Sequence, residues 1–202
     1  MLQGKHEPMK ISYPIARILG SIAERKALAL AVPMAIALGD REGSLLFFGR
    51  MDDSLPASAE IATSKAYTAA ALRMATHKVG ELAQPGRVLY GIQHTFNGKI
   101  VLFGGGLPLR LNKEVVGAVG ISGGTVEEDL EVAESVVDAL GEMEEWSEQI
   151  REFLPVSPLE ISSIFQLEEK LGEAFGQINC PLPREIYSIL TGAILLANNA
   201  NQ

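Results

Sequence analysis

The sequence predicts an α+β domain: a five-stranded, mainly antiparallel sheet with helices packed against it, followed by a C-terminal helical extension. Three observations carry this expectation. Segments with helically spaced apolar residues alternate with short strand-like runs, in the order helix, two strands, helix, three strands, helix. The turn sequences Gly39-Asp40-Arg41-Glu42-Gly43 and Asn97-Gly98 join neighbouring runs, and connections that short make antiparallel pairs. The 202 residues are 47% apolar, enough for one well-buried core.

Ile15 to Leu30 reads as the first helix, with Ile15, Ile18, Leu19, Ile22 and Ala23 on one face and Glu24, Arg25 and Lys26 towards solvent. Val32 to Leu38 and Ser44 to Gly49 read as a hairpin. Ser54 can cap the next helix, with Pro56 in its first turn. The run Ala57 to Ala75 is rich in alanine, the best helix former. Pro85-Gly86 marks a loop. Val88 to Thr95, Lys99 to Phe103 and Val115 to Ile121 read as three further strands, with Gly104-Gly105-Gly106 and Pro108 breaking the connection before the last. Thr125-Val126-Glu127-Glu128 is a capping box that opens an amphipathic helix with Val126, Leu130, Ala133, Val137, Leu140 and Met143 on one face. Pro155 and Pro158 bracket a linker, which divides the chain into a domain of residues 1–154 and an extension of residues 155–202. Two helices fill the extension, Leu159 to Phe175 and Pro183 to Asn198. Their apolar faces are expected to dock on the domain or on a neighbouring subunit, since so large an exposed patch is rarely tolerated.

The net charge is −8, and it is concentrated. Glu127 to Glu152 carries eleven acids against the single base Arg151, leaving the remainder close to neutral. With no basic patch, nucleic acid is not an expected partner. The one cysteine, Cys180, excludes an intramolecular disulfide and suits a reducing compartment. The first ten residues lack an apolar signal core, and Leu28 to Leu38, interrupted by Pro33, is too short to span a bilayer. A soluble cytoplasmic protein without a membrane partner is the expectation.

No catalytic residues are assigned. Gly120-Ile121-Ser122-Gly123-Gly124 has the spacing of a nucleophile elbow, but the triad histidine of that fold follows its serine, and no histidine lies beyond His94. The acids Glu127, Glu128 and Asp129 would repel a phosphate from the following helix start, so a dinucleotide loop is rejected. Gly104-Gly105-Gly106 permits unusual backbone angles and close approach of a ligand or subunit. The small faces Ala62, Ala66, Ala69 and Ala70 likewise allow close subunit contact. Of the three histidines, His6 lies in a tail and His94 in an expected strand, where a structural role is the default. His77 follows the alanine-rich helix, and neutral imidazole is a common axial ligand of haem iron. Met34, Met51, Met74 and Met143 could supply a soft second ligand or simply fill the core.

From Val32 to about Val137 one set of residues carries a family resemblance: Arg50-Met51-Asp52, Ser58, Ile61-Ala62, Lys65-Ala66, Thr68-Ala69-Ala70, Tyr90-Gly91, Gly104-Gly105-Gly106-Leu107-Pro108 and Val116 to Gly123, with Asp129 and Ala133 beyond. The chain resembles the GlcG/HbpS-like family. Within it, Thr76-His77, Gln84-Pro85-Gly86, Leu89-Tyr90-Gly91 and Ser122 to Glu127 are most similar to the C-terminal domain of the PduO-type cobalamin adenosyltransferases. The resemblance implies a profilin-like sheet with packed helices, assembly into a homo-tetramer or homo-octamer, and haem binding. It implies His77 as the metal ligand and Lys65, Tyr90, Gly105 and Gly106 as further cofactor-binding residues. The adenosyltransferase domain has no counterpart in these residues, so adenosylation of cobalamin is not implied. The functions left open are a haem-binding accessory or redox-sensing protein linked to coenzyme-B12-dependent metabolism such as diol utilisation, a corrinoid-binding partner of a cobalamin adenosyltransferase, and a structural oligomer without ligand.

Overall fold

A computed structural model describes residues 10–153 and 184–199. Helix α1 (Tyr13–Ala29) starts with Pro14 in its first turn, where proline's fixed φ suits a helix and its missing N–H costs nothing. The hairpin β1 (Ala35–Asp40) and β2 (Leu45–Arg50) turns on Asp40, whose Oδ1 accepts from the backbone N–H of Glu42 at 3.0 Å and of Ser44 at 2.7 Å. Helix α2 (Ser58–Ala71) and the short α3 (Thr76–Leu82) follow. Strands β3 (Gly106–Leu111) and β4 (Glu114–Ser122) complete an antiparallel sheet ordered β2-β1-β4-β3. The long α4 (Val126–Phe153) and α5 (Arg184–Asn199) close the described chain.

The sheet is covered on both faces. On one, α1 and α4 bury Ile15, Leu19, Val132, Val136 and Leu140 against Ile36, Leu38, Leu109, Val119 and Ile121. On the other, the alanine face of α2 lies directly on small residues of β1 and β4. A Cβ at Gly120 would run into the α2 backbone at Ala62 and Ala66, so glycine there sets how close helix and sheet can come. Ala62, Ala66, Ala69 and Ala70 are therefore spent inside the chain, not on subunit contact as the sequence suggested.

Among the described residues the sheet has four strands, not five. Val88 to Thr95 is no strand. Its N–H groups bond three residues back (Tyr90 to Arg87, Ile92 to Leu89, His94 to Gly91, all 3.0 to 3.1 Å), and Gly91 takes φ +87°. Local turns thus use the donors a ladder would need. Lys99 to Phe103 runs along α2 instead of pairing, with the Val101 N–H donating to Thr68 Oγ1 at 3.0 Å. Asn97-Gly98 does adopt positive φ, 57° and 78°, but within a one-turn 3₁₀ helix and not between paired strands. Conversely, β3 lies where three glycines and Pro108 argued against a strand. It is an edge strand, the place where a proline lacking its N–H is tolerated. Ser54 does not cap α2, which starts at Ser58; it accepts instead from Arg50 Nε at 3.1 Å.

The capping box is formed as expected, with Thr125 N–H to Glu128 Oε2 at 2.8 Å and Glu128 N–H to Thr125 Oγ1 at 3.2 Å. The expected helix Leu159 to Phe175, the linker at Pro155 and Cys180 lie outside the described residues. Helix α5 docks on its own chain, against α4 and α1, burying Leu190, Ala193 and Leu196. Gly192 packs against Met143 of α4. No helix among the described residues is long and apolar enough to cross a membrane.

Candidate functional site

His77 lies in the first turn of α3. The preceding Thr76 is fully buried, and its Oγ1 accepts the Gly106 N–H at 3.1 Å and faces the Gly106 carbonyl at 3.4 Å. At the other end of the helix Gly80 packs directly on the Leu102 carbonyl, where any Cβ would collide, and accepts a hydrogen bond from Gln84 Nε2 at 2.9 Å. Lys78 and Glu81 pair at 3.0 Å on the outer surface. His77 itself is half-buried, and its Nδ1 is enclosed without a hydrogen-bond partner. Nδ1 is thus closed off from any ligand, and no hydrogen bond of the described residues engages the ring. No cluster of three or more His, Cys, Asp or Glu residues able to hold a bare ion occurs among the described residues.

Lys65, Gly105 and Gly106 come together near Thr76, but they face one another. Lys65 is 0% exposed; its Nζ donates to Asp129 Oδ2 at 2.6 Å and to the Ile121 carbonyl at 2.7 Å, beneath the Phe103 ring at 4.9 Å. Burial pulls the Lys65 pKa below its ordinary 10.5 despite the partly compensating Asp129 carboxylate. Burial likewise raises the Asp129 pKa above 3.8, opposed by Lys65 and by the amides of Gly124 and Gly123. Gly105 has φ +101°, and a Cβ there would stand 2.7 Å from Lys65 Nζ and from the Ile121 carbonyl. A Cβ at Gly106 would stand 2.8 Å from the Lys65 carbonyl and 2.5 Å from Thr76 Cγ2. The close approach these glycines permit is between parts of the same chain. Asp129 and Thr76, the partners that define this buried knot, were not singled out as site residues. The available signal was Lys65 itself, a charge on the buried alanine stripe Ala62, Ala66 and Ala69.

Tyr90 faces outward, 66% exposed, in the turn-rich segment after α3. The adjacent Leu89 N–H bonds to the Leu82 carbonyl at 2.9 Å, which ties this segment to the end of α3. Val88, Phe96 and Phe103 are also exposed, so the segment presents apolar surface that an isolated chain has no reason to show. Phe96 meets Tyr67 edge-on at 6.2 Å, and Lys99 Nζ stands over the Tyr67 ring at 5.6 Å. His94 lies on this surface in a one-turn 3₁₀ helix, with no buried structural role; its ring is 3.3 Å from Gln93 Nε2.

Of the methionines, Met34 and Met143 are fully buried and Met51 Sδ stands 3.4 Å from the Met34 N–H, so these three serve the core. Ser122 is buried at the end of β4. The donors at the start of α4 are taken by the chain's own carboxylates, Asp129 Oδ1 from Gly124 N–H at 3.0 Å and Glu128 from Thr125.

The chain is similar in sequence and fold to several known proteins. The family model described as haem degrading protein HbpS-like matches residues 11–138. A Citrobacter freundii protein described as an uncharacterized 15.0 kDa protein in the dhaT-dhaS intergenic region is 45% identical over 133 residues, covering 66% of this chain and 94% of that one. The corrinoid adenosyltransferase PduO of Salmonella typhimurium is 38% identical over 133 residues; the match covers 66% of this chain but only 40% of PduO. Among solved structures, Klebsiella pneumoniae ORFY is 37% identical with a TM-score of 0.65, covering 70% of this chain and 98% of that one. A structure described as a PduOC:heme complex is also 37% identical, with a TM-score of 0.62, covering 64% of this chain and 94% of that one.

Proposed function

The chain belongs to the HbpS-like family, and from that membership we propose that it binds haem with the His77 imidazole as ligand to the iron. The observation that carries this is the half-buried ring of His77, which no hydrogen bond of the described residues engages; with Nδ1 enclosed, Nε2 is the nitrogen left for the iron. Imidazole suits haem iron. The heme complex of a 37% identical relative supports the choice of group. Bound haem supplies a redox-active iron. The chain's own contribution is to present His77 from a helix pinned at both ends, and to offer the exposed apolar side chains of Val88 and Tyr90 beyond that helix. Lys65, Gly105 and Gly106 serve the site indirectly, by building the wall that Thr76 leans on. We assign the protein an accessory or redox-sensing role linked to coenzyme-B12-dependent metabolism, as a cytoplasmic homo-tetramer or homo-octamer; its likeness to part of PduO supports the link.

That same likeness favours a second reading, a corrinoid-binding partner of an adenosyltransferase, since imidazole also ligates cobalt. One experiment separates the two. The protein is titrated with hemin and, separately, with hydroxocobalamin, as wild type and as His77→Ala. The haem reading expects a Soret band that saturates at a fixed stoichiometry, and an affinity more than about tenfold weaker in the variant with a shifted band. Oligomer mass should be the same for both proteins by light scattering. Identical spectra and affinities for the two proteins refute His77 as ligand, and uptake of hydroxocobalamin alone favours the corrinoid reading.

A further inference from the structure

We propose that the Thr76 hydroxyl is the positioning group for the His77 imidazole, and that the buried Lys65–Asp129 pair holds the surface on which Thr76 is anchored. Its functional meaning rests on the haem reading above; the juxtaposition of residues does not.

A metal-ligating histidine is ordinarily oriented by a hydrogen bond to its other ring nitrogen. His77 has none at Nδ1, so the ring takes its place from the backbone beneath it. That backbone belongs to α3, a helix of 7 residues with no side-chain cap at its N-terminus. A helix so short has little stability of its own and is oriented by tertiary contacts. Two contacts do this. Gly80 is pressed on the Leu102 carbonyl at one end. At the other, one residue from His77, Thr76 Oγ1 takes the Gly106 N–H at 3.1 Å.

The anchor is itself fixed from behind. Gly106 opens β3 and pairs with Gly120 of β4, and there is no room for a side chain between it and the Lys65 backbone. The Gly105 carbonyl accepts from Ile121 N–H at 2.8 Å, and the Ile121 carbonyl accepts from Lys65 Nζ at 2.7 Å. Lys65 is held in turn by Asp129 in the first turn of α4. A continuous line of buried polar contacts thus runs from α4 through α2 and the sheet edge to the residue before His77. Lys65, Gly105 and Gly106 belong to this line.

Thr76→Val keeps the shape of the side chain and removes the hydroxyl, whereas Thr76→Ser keeps the hydroxyl. Two readouts are needed: the imidazole ¹⁵N resonances of His77 in the apoprotein, identified by their loss in His77→Ala, and the affinity for hemin. Thr76→Val should move the His77 resonances and weaken hemin binding roughly tenfold, while Thr76→Ser stays within about twofold of wild type with resonances in place. The proposal is overturned if Thr76→Val leaves resonances and affinity unchanged, or if Thr76→Ser is impaired as much as Thr76→Val, since packing and not the hydroxyl would then be at work. If His77→Ala binds hemin like wild type, the haem reading fails, and the resonances of the two Thr76 variants still decide the positioning. Asp129→Asn perturbs the line from its far end and serves if Thr76→Val does not fold. A shift in the His77 resonances is expected, and their constancy refutes the coupling to the Lys65–Asp129 pair.

Discussion

Replacing Lys65 by Met is expected to destabilise the protein by about 3–5 kcal/mol, because it leaves the Asp129 carboxylate buried without its cation. The magnitude follows from the geometry. At 2.6 Å the pair attracts by about 6 kcal/mol for an effective dielectric of about 20. Desolvating each ion costs several kcal/mol, so the intact pair contributes close to nothing net. The single variant loses the attraction, keeps the Asp129 penalty and strands the Ile121 carbonyl, which alone costs about 1–3 kcal/mol. Lys65→Met with Asp129→Asn removes both charges and keeps an acceptor for the Gly124 N–H, leaving only the stranded Ile121 carbonyl, so it should recover to within about 1–3 kcal/mol of wild type. Urea unfolding followed by circular dichroism measures all three proteins. A single variant within about 1 kcal/mol of wild type, or a double variant no better than the single one, refutes this account.

The same pair sets a sign for pH dependence. Burial raises the Asp129 pKa above 3.8, so the folded protein binds the extra proton between 3.8 and the raised value. Stability rises with pH only where the unfolded chain binds more protons. The Asp129 contribution is therefore full below 3.8 and is lost as pH climbs through the raised value. Burial lowers the Lys65 pKa, so between that lowered value and 10.5 the unfolded chain holds the extra proton and the Lys65 contribution grows with pH. Stability of wild type minus that of the double variant should trace a trough between the two windows. A crest there would mean that the 2.6 Å contact outweighs burial.

Gly120→Ala should cost about 3 kcal/mol, near the top of the range for overpacking, because the new methyl meets the α2 backbone and not a side chain that can turn away; a thermal unfolding midpoint equal to wild type would contradict the packing described. Leu196→Ala should cost about 2–5 kcal/mol, since Leu196 is 1% exposed in the main core. A loss below about 0.5 kcal/mol would mean that α5 is not docked on α4 in solution.

The sequence carried the elements whose pattern is local and strong. The apolar spacing of α1, the hairpin turning on Asp40 and the Thr125–Glu128 capping box are all formed. It misled where two explanations share one pattern. Val88 to Thr95 has strand-like composition, yet the N–H groups of Tyr90, Ile92 and His94 bond three residues back, and Gly91 takes a positive φ that a strand would not. The strand β3 was hidden by Pro108, because whether a proline breaks a strand depends on whether that strand lies at an edge, which is a property of the finished sheet. The C-terminal docking was legible from the apolar face of residues 183–198, but the choice of its own domain was not, since Gly192 and Ala193 suit any helix partner equally well.

The site residues divide along the same line. Lys65, Gly105, Gly106, His77 and Tyr90 all lie among the residues that carry the family resemblance, and the resemblance implies all five as ligand contacts. Packing separates them. A buried lysine must find an anion and acceptors, and Lys65 finds Asp129 and the Ile121 carbonyl; its ammonium leaves no room for a side chain at Gly105, and the Lys65 backbone with Thr76 leaves none at Gly106. Those three residues thus have packing duties inside the chain before any ligand is considered. His77 and Tyr90 have no such internal duty: no hydrogen bond of the described residues engages the ring of the one, and the side chain of the other is turned outward. Residues that the fold requires and residues that it leaves unused stand side by side in the sequence, and the haem site we propose rests on the unused ones.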